Sequence, residues 1–201
     1  YGDLTDLLRR DFGVREVWRY IGKKTGHKGD LSDYDLSVFD ELVRNLDPAH
    51  NSDRPLAVIS SAISDHNGAF SGWTQREMFK QLSGQYKVII MEASTKQEAV
   101  DGLARIAKLH GVDSVGNPEK KIDLLIFGGH GSPNGISLGE ETLRHTDRAF
   151  LRQMGESLSD QADVVLKSCS TGKGGACSVN FANAAAEEMP HVGTWASTEV
   201  T

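Results

Sequence analysis

From Pro55 onward short apolar runs alternate with helix-patterned stretches, and this alternation restricts the fold more than any other feature of the chain. The runs are residues 56–59, 86–91, 122–127, 163–166 and 192–196. They lack the polar alternation of a half-exposed strand, so the sheet they build should be covered on both faces. Helix patterns fall between them, near residues 74–82, 95–111, 147–158 and 181–189. The second opens on a capping box, Thr95-Lys96-Gln97-Glu98, carries Ala99, Leu103 and Ile106 on one face, and stops at Gly111. Strands separated by helices imply parallel crossovers. The predicted fold is α/β, a three-layer arrangement with a mostly parallel central sheet flanked by helices. Residues 136–138 add a short hairpin arm, and the fourth strand is expected to run on to Cys169.

The first 50 residues read differently. Leu4, Leu7, Leu8, Val14, Val17 and Trp18 recur at roughly helical spacing, with Gly13 as an interruption. Residues 22–29 form a Lys/Gly turn region. Tyr34, Val38, Leu42 and Leu46 then mark a second helix, which Asp47-Pro48 ends. Residues 1–50 are thus expected to be a helical N-terminal extension, and residues 51–201 the α/β domain. A chain of 201 residues can bury enough surface to hold a core without disulfides or a structural metal. It carries 28 acidic against 22 basic residues, a net charge of −6, which argues against general nucleic-acid binding. No run approaches the ~18 apolar residues a membrane span requires. The chain opens on Tyr1 without a signal-peptide pattern, which suggests a processed or excised piece of something longer.

Two cysteines, Cys169 and Cys177, make no disulfide framework, and no His/Cys cluster has zinc-ligand spacing. No metal or cofactor is expected. Reduced thiols are the preferred reading, with a single Cys169–Cys177 disulfide as the alternative. Unpaired cysteines fit the cytoplasm.

In an open parallel sheet, ligands bind outside the carboxyl ends of the strands. Two strands here end in reactive groups. The third runs into Gly128-Gly129-His130-Gly131, and the fourth into Ser168-Cys169-Ser170-Thr171-Gly172. If the two strands are neighbours, an imidazole and a thiol share one cleft. A thiol with a pKa near 8.5 is only about 3% thiolate at pH 7. An adjacent imidazole would take that proton and later deliver one to a leaving amine. The N–H groups of Gly131 and Cys169 would serve a developing oxyanion. Taken singly, a histidine after a strand is often a loop residue, and a lone cysteine is often a small buried hydrophobe. Their joint occurrence at consecutive strand ends, flanked by small residues, favours chemistry.

The stretches IDLLIFGGHG (residues 122–131) and DVVLKSCSTG (residues 163–172) together resemble the caspase-like cysteine peptidases of clan CD. Residues 131–139, GSPNGISLG, are similar to its bacterial CHAT and toxin self-processing branches. The likeness covers residues 55–198. It implies a cysteine endopeptidase with Cys169 as nucleophile and His130 as acid/base. Gly131 and Cys169 would supply the oxyanion N–H groups. It also implies a protein or peptide substrate, with self-cleavage or activation by a partner as further expectations. Bacterial members of the group are often secreted, so secretion stands beside the cytoplasm. The family core has a sixth strand, whereas five are legible here.

Strand alternation places Lys167 on the same side as Cys169. A cation there argues for an acidic or neutral residue before the scissile bond, unless Lys167 snorkels outward or pairs with Asp65. Asp65, in the loop after the first strand, stands where relatives place a specificity residue, which keeps a basic preference alive; otherwise Asp65-His66-Asn67 is an ordinary turn. Trp195 and Ser197 resemble the segment that lines the pocket and pairs with substrate backbone, with a core aromatic as the alternative for Trp195. Ser170-Thr171-Gly172-Lys173-Gly174 is no phosphate loop, because Lys167 stands where the leading glycine belongs and Gly174 where Ser or Thr must follow the lysine. Lys23, Lys24 and Lys28 are read as a solvated loop rather than an anion site, and Cys177 as structural. Two other functions compete with the peptidase. One is a catalytically inactive caspase-like protein-binding module. The other is a flavodoxin-like small-molecule domain, for which residues 60–64 offer no phosphate loop.

Overall fold

The computed structural model describes residues 33–51, 53–62, 73–111 and 121–199. The expectations for residues 1–32 and for the Asp65 loop lie outside these segments. The described chain runs α1 (Asp33–Arg44), β1 (Leu56–Ala62), α2 (Trp73–Leu82), β2 (Lys87–Ala93) and α3 (Lys96–His110). It continues through β3 (Ile122–Gly128), β4 (Gly131–Ser132), β5 (Gly135–Ser137), β6 (Thr142–Arg144), α4 (Arg148–Gly155), β7 (Leu158–Lys167), α5 (Phe181–Glu188) and β8 (Gly193–Ala196). Five strands form one parallel sheet in the order β2-β1-β3-β7-β8. This is the predicted α/β architecture, a parallel sheet between helices.

Alternate side chains along each strand feed two cores. On one face, here called the front, Ala57, Ile59, Val88 and Ile126 pack with Val38 of α1 and Phe79 of α2. On the back, Val58, Ile89, Leu125, Phe127, Val164 and Leu166 pack with Leu103 of α3, Leu151 of α4 and Phe181 of α5. The second predicted helix of the N-terminal region is α1, and it is seated directly on the sheet. Its neighbour Asn45, fully buried, donates to the Val88 carbonyl at 3.1 Å.

Where the structure departs from the pattern, the reasons are local. The helix expected near residues 147–158 is shorter than that. α4 stops at Gly155, and Leu158 starts β7, paired with Ile122 and fully buried. Between the Ile122–Leu158 and Leu124–Asp163 pairs the register shifts. The Asp123 carboxylate holds this irregularity, accepting from the Leu56 N–H at 2.8 Å and the Ser159 hydroxyl at 3.1 Å. The expected hairpin arm is the middle of a three-stranded antiparallel sheet, β4-β5-β6. The capping box is half realised. Thr95 Oγ1 accepts the Glu98 N–H at 3.1 Å, but the Glu98 carboxylate turns to the Ser94 N–H and hydroxyl, both at 2.8 Å. No helix among the described residues is long and apolar enough to cross a membrane.

Candidate active site

β3 and β7 are neighbours, and their shared ladder ends at the pair Gly128–Lys167. His130 and Cys169 each lie two residues beyond that pair, so both leave the sheet at the same edge. Adjacent parallel strands stand about 4.8 Å apart. The two loops stay in contact after the ladder ends. The buried Ser168 hydroxyl donates to the Gly129 carbonyl at 2.6 Å. A Cβ at position 131 would overlap Ser168 Oγ and lie 2.8 Å from the Cys169 carbonyl oxygen. Gly131 therefore lacks a side chain because the cysteine loop already fills the space.

The histidine loop is braced from its other side as well. The Ser137 N–H donates to the His130 carbonyl at 2.8 Å. That bond flanks the Gly131–Ile136 antiparallel pair. Gly131 is thus a non-hydrogen-bonded position of the ladder, and its own N–H is aimed away from β5. His130 itself is half-buried.

The cysteine loop departs from its expected shape. β7 ends at Lys167, and the Ser168 N–H folds back onto the Leu166 carbonyl at 2.9 Å, the hydrogen bond of a γ-turn. Cys169, half-buried and not in a disulfide, sits in the turn that follows. Alternation along the strand therefore orients Lys167 relative to Val165 but does not carry through to Cys169. Ser170 follows with φ 55°, in the left-handed region, its N–H donating to the Glu199 carbonyl at 2.9 Å. Gly172 N–H donates to the Ser197 carbonyl, also at 2.9 Å. The chain after β8 is laid along the cysteine loop by these two bonds, and Ser197 belongs to that segment.

Lys167 shares the front face with Val165. It is half-buried, its Nζ lies 3.4 Å from the Met78 sulfur on α2, and burial pushes its ammonium below the usual lysine range. Trp195 pairs in register with Val165, which puts it on the same face one strand further out. It is 63% exposed, so the core-aromatic alternative is excluded. Its indole N–H donates to Asp163 Oδ1 at 2.8 Å. Cys177 closes a single 3₁₀ turn, Gly175–Cys177, and is exposed with a free thiol. That corrects both its reading as a structural cysteine and the disulfide alternative. Among the described residues no three His, Cys, Asp or Glu side chains gather as a metal site would.

Sequence reasoning treated Ser168 only as a small spacer before the cysteine and did not pair Asp163 with Trp195. Neither role has a signal in spacing. Both depend on which groups a neighbouring strand presents.

No protein-family model matches the chain, and no curated protein matches it. Among solved structures it is similar to the Arg-specific cysteine proteinase gingipain R (RGPB), at 17% identity and a TM-score of 0.36. That match covers 75% of this chain and 33% of the other, so the chain spans about a third of the length of that structure.

Proposed function

We propose that residues 51–201 form a caspase-like cysteine endopeptidase domain, with residues 1–50 as its N-terminal extension. One observation carries the reading: His130 and Cys169 leave adjacent parallel strands at the same edge, two residues beyond the last ladder pair. In this reading the His130 imidazole takes the Cys169 proton, and the thiolate attacks the scissile carbonyl. The N–H groups of Gly131 and Cys169 receive the oxyanion. The tetrahedral species collapses to a thioester as imidazolium protonates the leaving amine. Water, deprotonated by the same imidazole, then hydrolyses the thioester and returns the thiol. The Gly131 N–H, pointing away from β5, supports the oxyanion assignment.

Lys167, Trp195 and Ser197 would form the substrate side of the cleft, and Asp65, outside the described residues, is kept as a further specificity residue. A half-buried lysine on the front face favours an acidic or neutral residue before the scissile bond. The substrate is a protein or peptide, the chain itself or a partner included.

The exposed Cys177 is a built-in reference for the test. An unactivated, half-buried thiol should react more slowly than an exposed one. Iodoacetamide labelling at pH 7, read by mass spectrometry, should instead modify Cys169 before Cys177, and His130→Ala should remove that lead. Equal or slower labelling of Cys169 defeats the proposal. Peptide-library profiling beside Cys169→Ala then separates a peptidase, whose turnover vanishes in the variant, from an inactive binding module that shows none.

A further inference from the structure

Resting on the Cys169/His130 reading, we infer that Ser168 is a positioning residue that sets the separation of the two catalytic loops through its hydroxyl. Ser168 immediately precedes Cys169, and Gly129 immediately precedes His130. The 2.6 Å bond between the Ser168 hydroxyl and the Gly129 carbonyl is at the short end for an O–H···O contact. Ser168 is 3% exposed, so water cannot compete for either partner.

The reason a side chain is used follows from the backbone. The β3–β7 ladder ends at Gly128–Lys167, and the next amide on β7, that of Ser168, is spent on the Leu166 carbonyl. The Ser168 amide is therefore unavailable as a rung at the point where the reactive residues begin. The serine hydroxyl supplies that rung. Gly131, lacking a Cβ, leaves room for it and brings the Cys169 carbonyl close. An alanine would fill nearly the same volume without holding the loops together. Proton transfer requires His130 and Cys169 to meet within hydrogen-bond reach, and a displacement of about 1 Å can cost about 10²-fold in rate.

The test measures the rate of Cys169 alkylation by iodoacetamide from pH 5 to pH 9 in four full-length proteins, with Cys177 as internal reference. They are the wild type, His130→Ala, Ser168→Ala and Ser168→Thr. In the wild type a His130-dependent enhancement should persist below pH 7. At pH 7 Ser168→Ala should lose it by up to about thirtyfold, the gap between a largely ionised thiol and the about 3% expected without a partner. Its Cys177 rate should not move, and Ser168→Thr, which keeps the hydroxyl, should restore the wild-type profile. A Ser168→Ala profile that superimposes on wild type overturns the inference. So does a loss shared by folded Ala and Thr variants, which would assign the effect to size rather than to the hydroxyl. Should Ser168→Ala fail to fold, the Thr profile decides alone, a wild-type curve supporting the inference and a depressed one overturning it. If His130→Ala leaves the wild-type profile unchanged, the underlying peptidase reading fails instead, and the two failures are distinct.

Discussion

A methyl group at position 131 is enough to push the two loops apart. Sequence reading gives Gly131 only a backbone role, its N–H serving the oxyanion. The structure adds a nearer neighbour, because Ser168 Oγ and the Cys169 carbonyl already occupy the place of a Cβ. The Cys169 carbonyl is backbone and cannot swing aside as a long side chain would. Gly131→Ala should therefore cost about 1–3 kcal/mol, the usual penalty for overpacking a filled site. Urea denaturation would read that loss directly, and the same variant should slow Cys169 alkylation. Unchanged stability would mean that the loops have slack between them. Strain of a different kind sits at Ser170, whose φ of 55° costs a non-glycine residue of order 1 kcal/mol. Its bond to Glu199 holds it there. The residue type gives no warning of this, because serine is compatible with almost any turn.

At the scale of elements, the strands and helices were largely readable and their ends were not. Periodicity and capping residues locate α3 well. Thr95 caps it with its side chain, and Gly111 N–H closes its last turn onto the Ala107 carbonyl. Thr95→Ala should destabilise the protein by about 1 kcal/mol. That corresponds to a melting temperature lower by about 2–4 °C in calorimetry for a chain of this size. A loss well below this would show that the two Ser94–Glu98 bonds cap the helix unaided. The α4–β7 boundary was misread for a physical reason. A leucine at i+7 of a helical stripe is equally suited to a buried strand, and only the partner Ile122 decides between them. Likewise, alternation along β7 was extended to Cys169, one residue past the Ser168 turn. Local propensity does not reveal where a ladder loses its partner.

Among the described residues, the two buried basic groups, Lys87 and His110, lie at the end of the sheet opposite the candidate site. Lys87, almost fully buried at the start of β2, donates through Nζ to the Asp47 carbonyl at 2.7 Å and the Pro48 carbonyl at 3.0 Å. Burial lowers its pKa to about 8, with the Asp47 carboxylate acting in the other direction. His110, at the end of α3, is 5% exposed. Burial first, and the positive charge of Lys87 second, lower its pKa to about 4, against a smaller opposing pull from Asp47. The folded state therefore resists protonating this imidazole, whereas the unfolded chain accepts a proton near pH 6.5. Between those values the unfolded state binds more protons, so stability must fall as pH drops from about 6.5 towards 4. The contribution at stake is of order 3 kcal/mol. Urea midpoints at pH 7 and pH 4.5 should diverge in the wild type and converge in His110→Gln, with carboxylate effects common to both. Equal acid sensitivity in the two proteins would exclude His110 as the source.

The chain by itself determined the class of fold. Uninterrupted apolar runs joined by helical stretches are best buried as a parallel sheet between two layers, and the candidate residues His130 and Cys169 stand just past two of those runs. Tertiary structure decided which strand ends are neighbours, and so that His130 and Cys169 share an edge. It also decided that Trp195 faces solvent, that Cys177 is exposed, and that a serine hydroxyl takes over where the β3–β7 ladder runs out. Burial pattern is a property of each segment and is therefore written in sequence. Strand adjacency and the fate of an individual hydrogen bond depend on residues far away along the chain, and they become definite only when those segments meet.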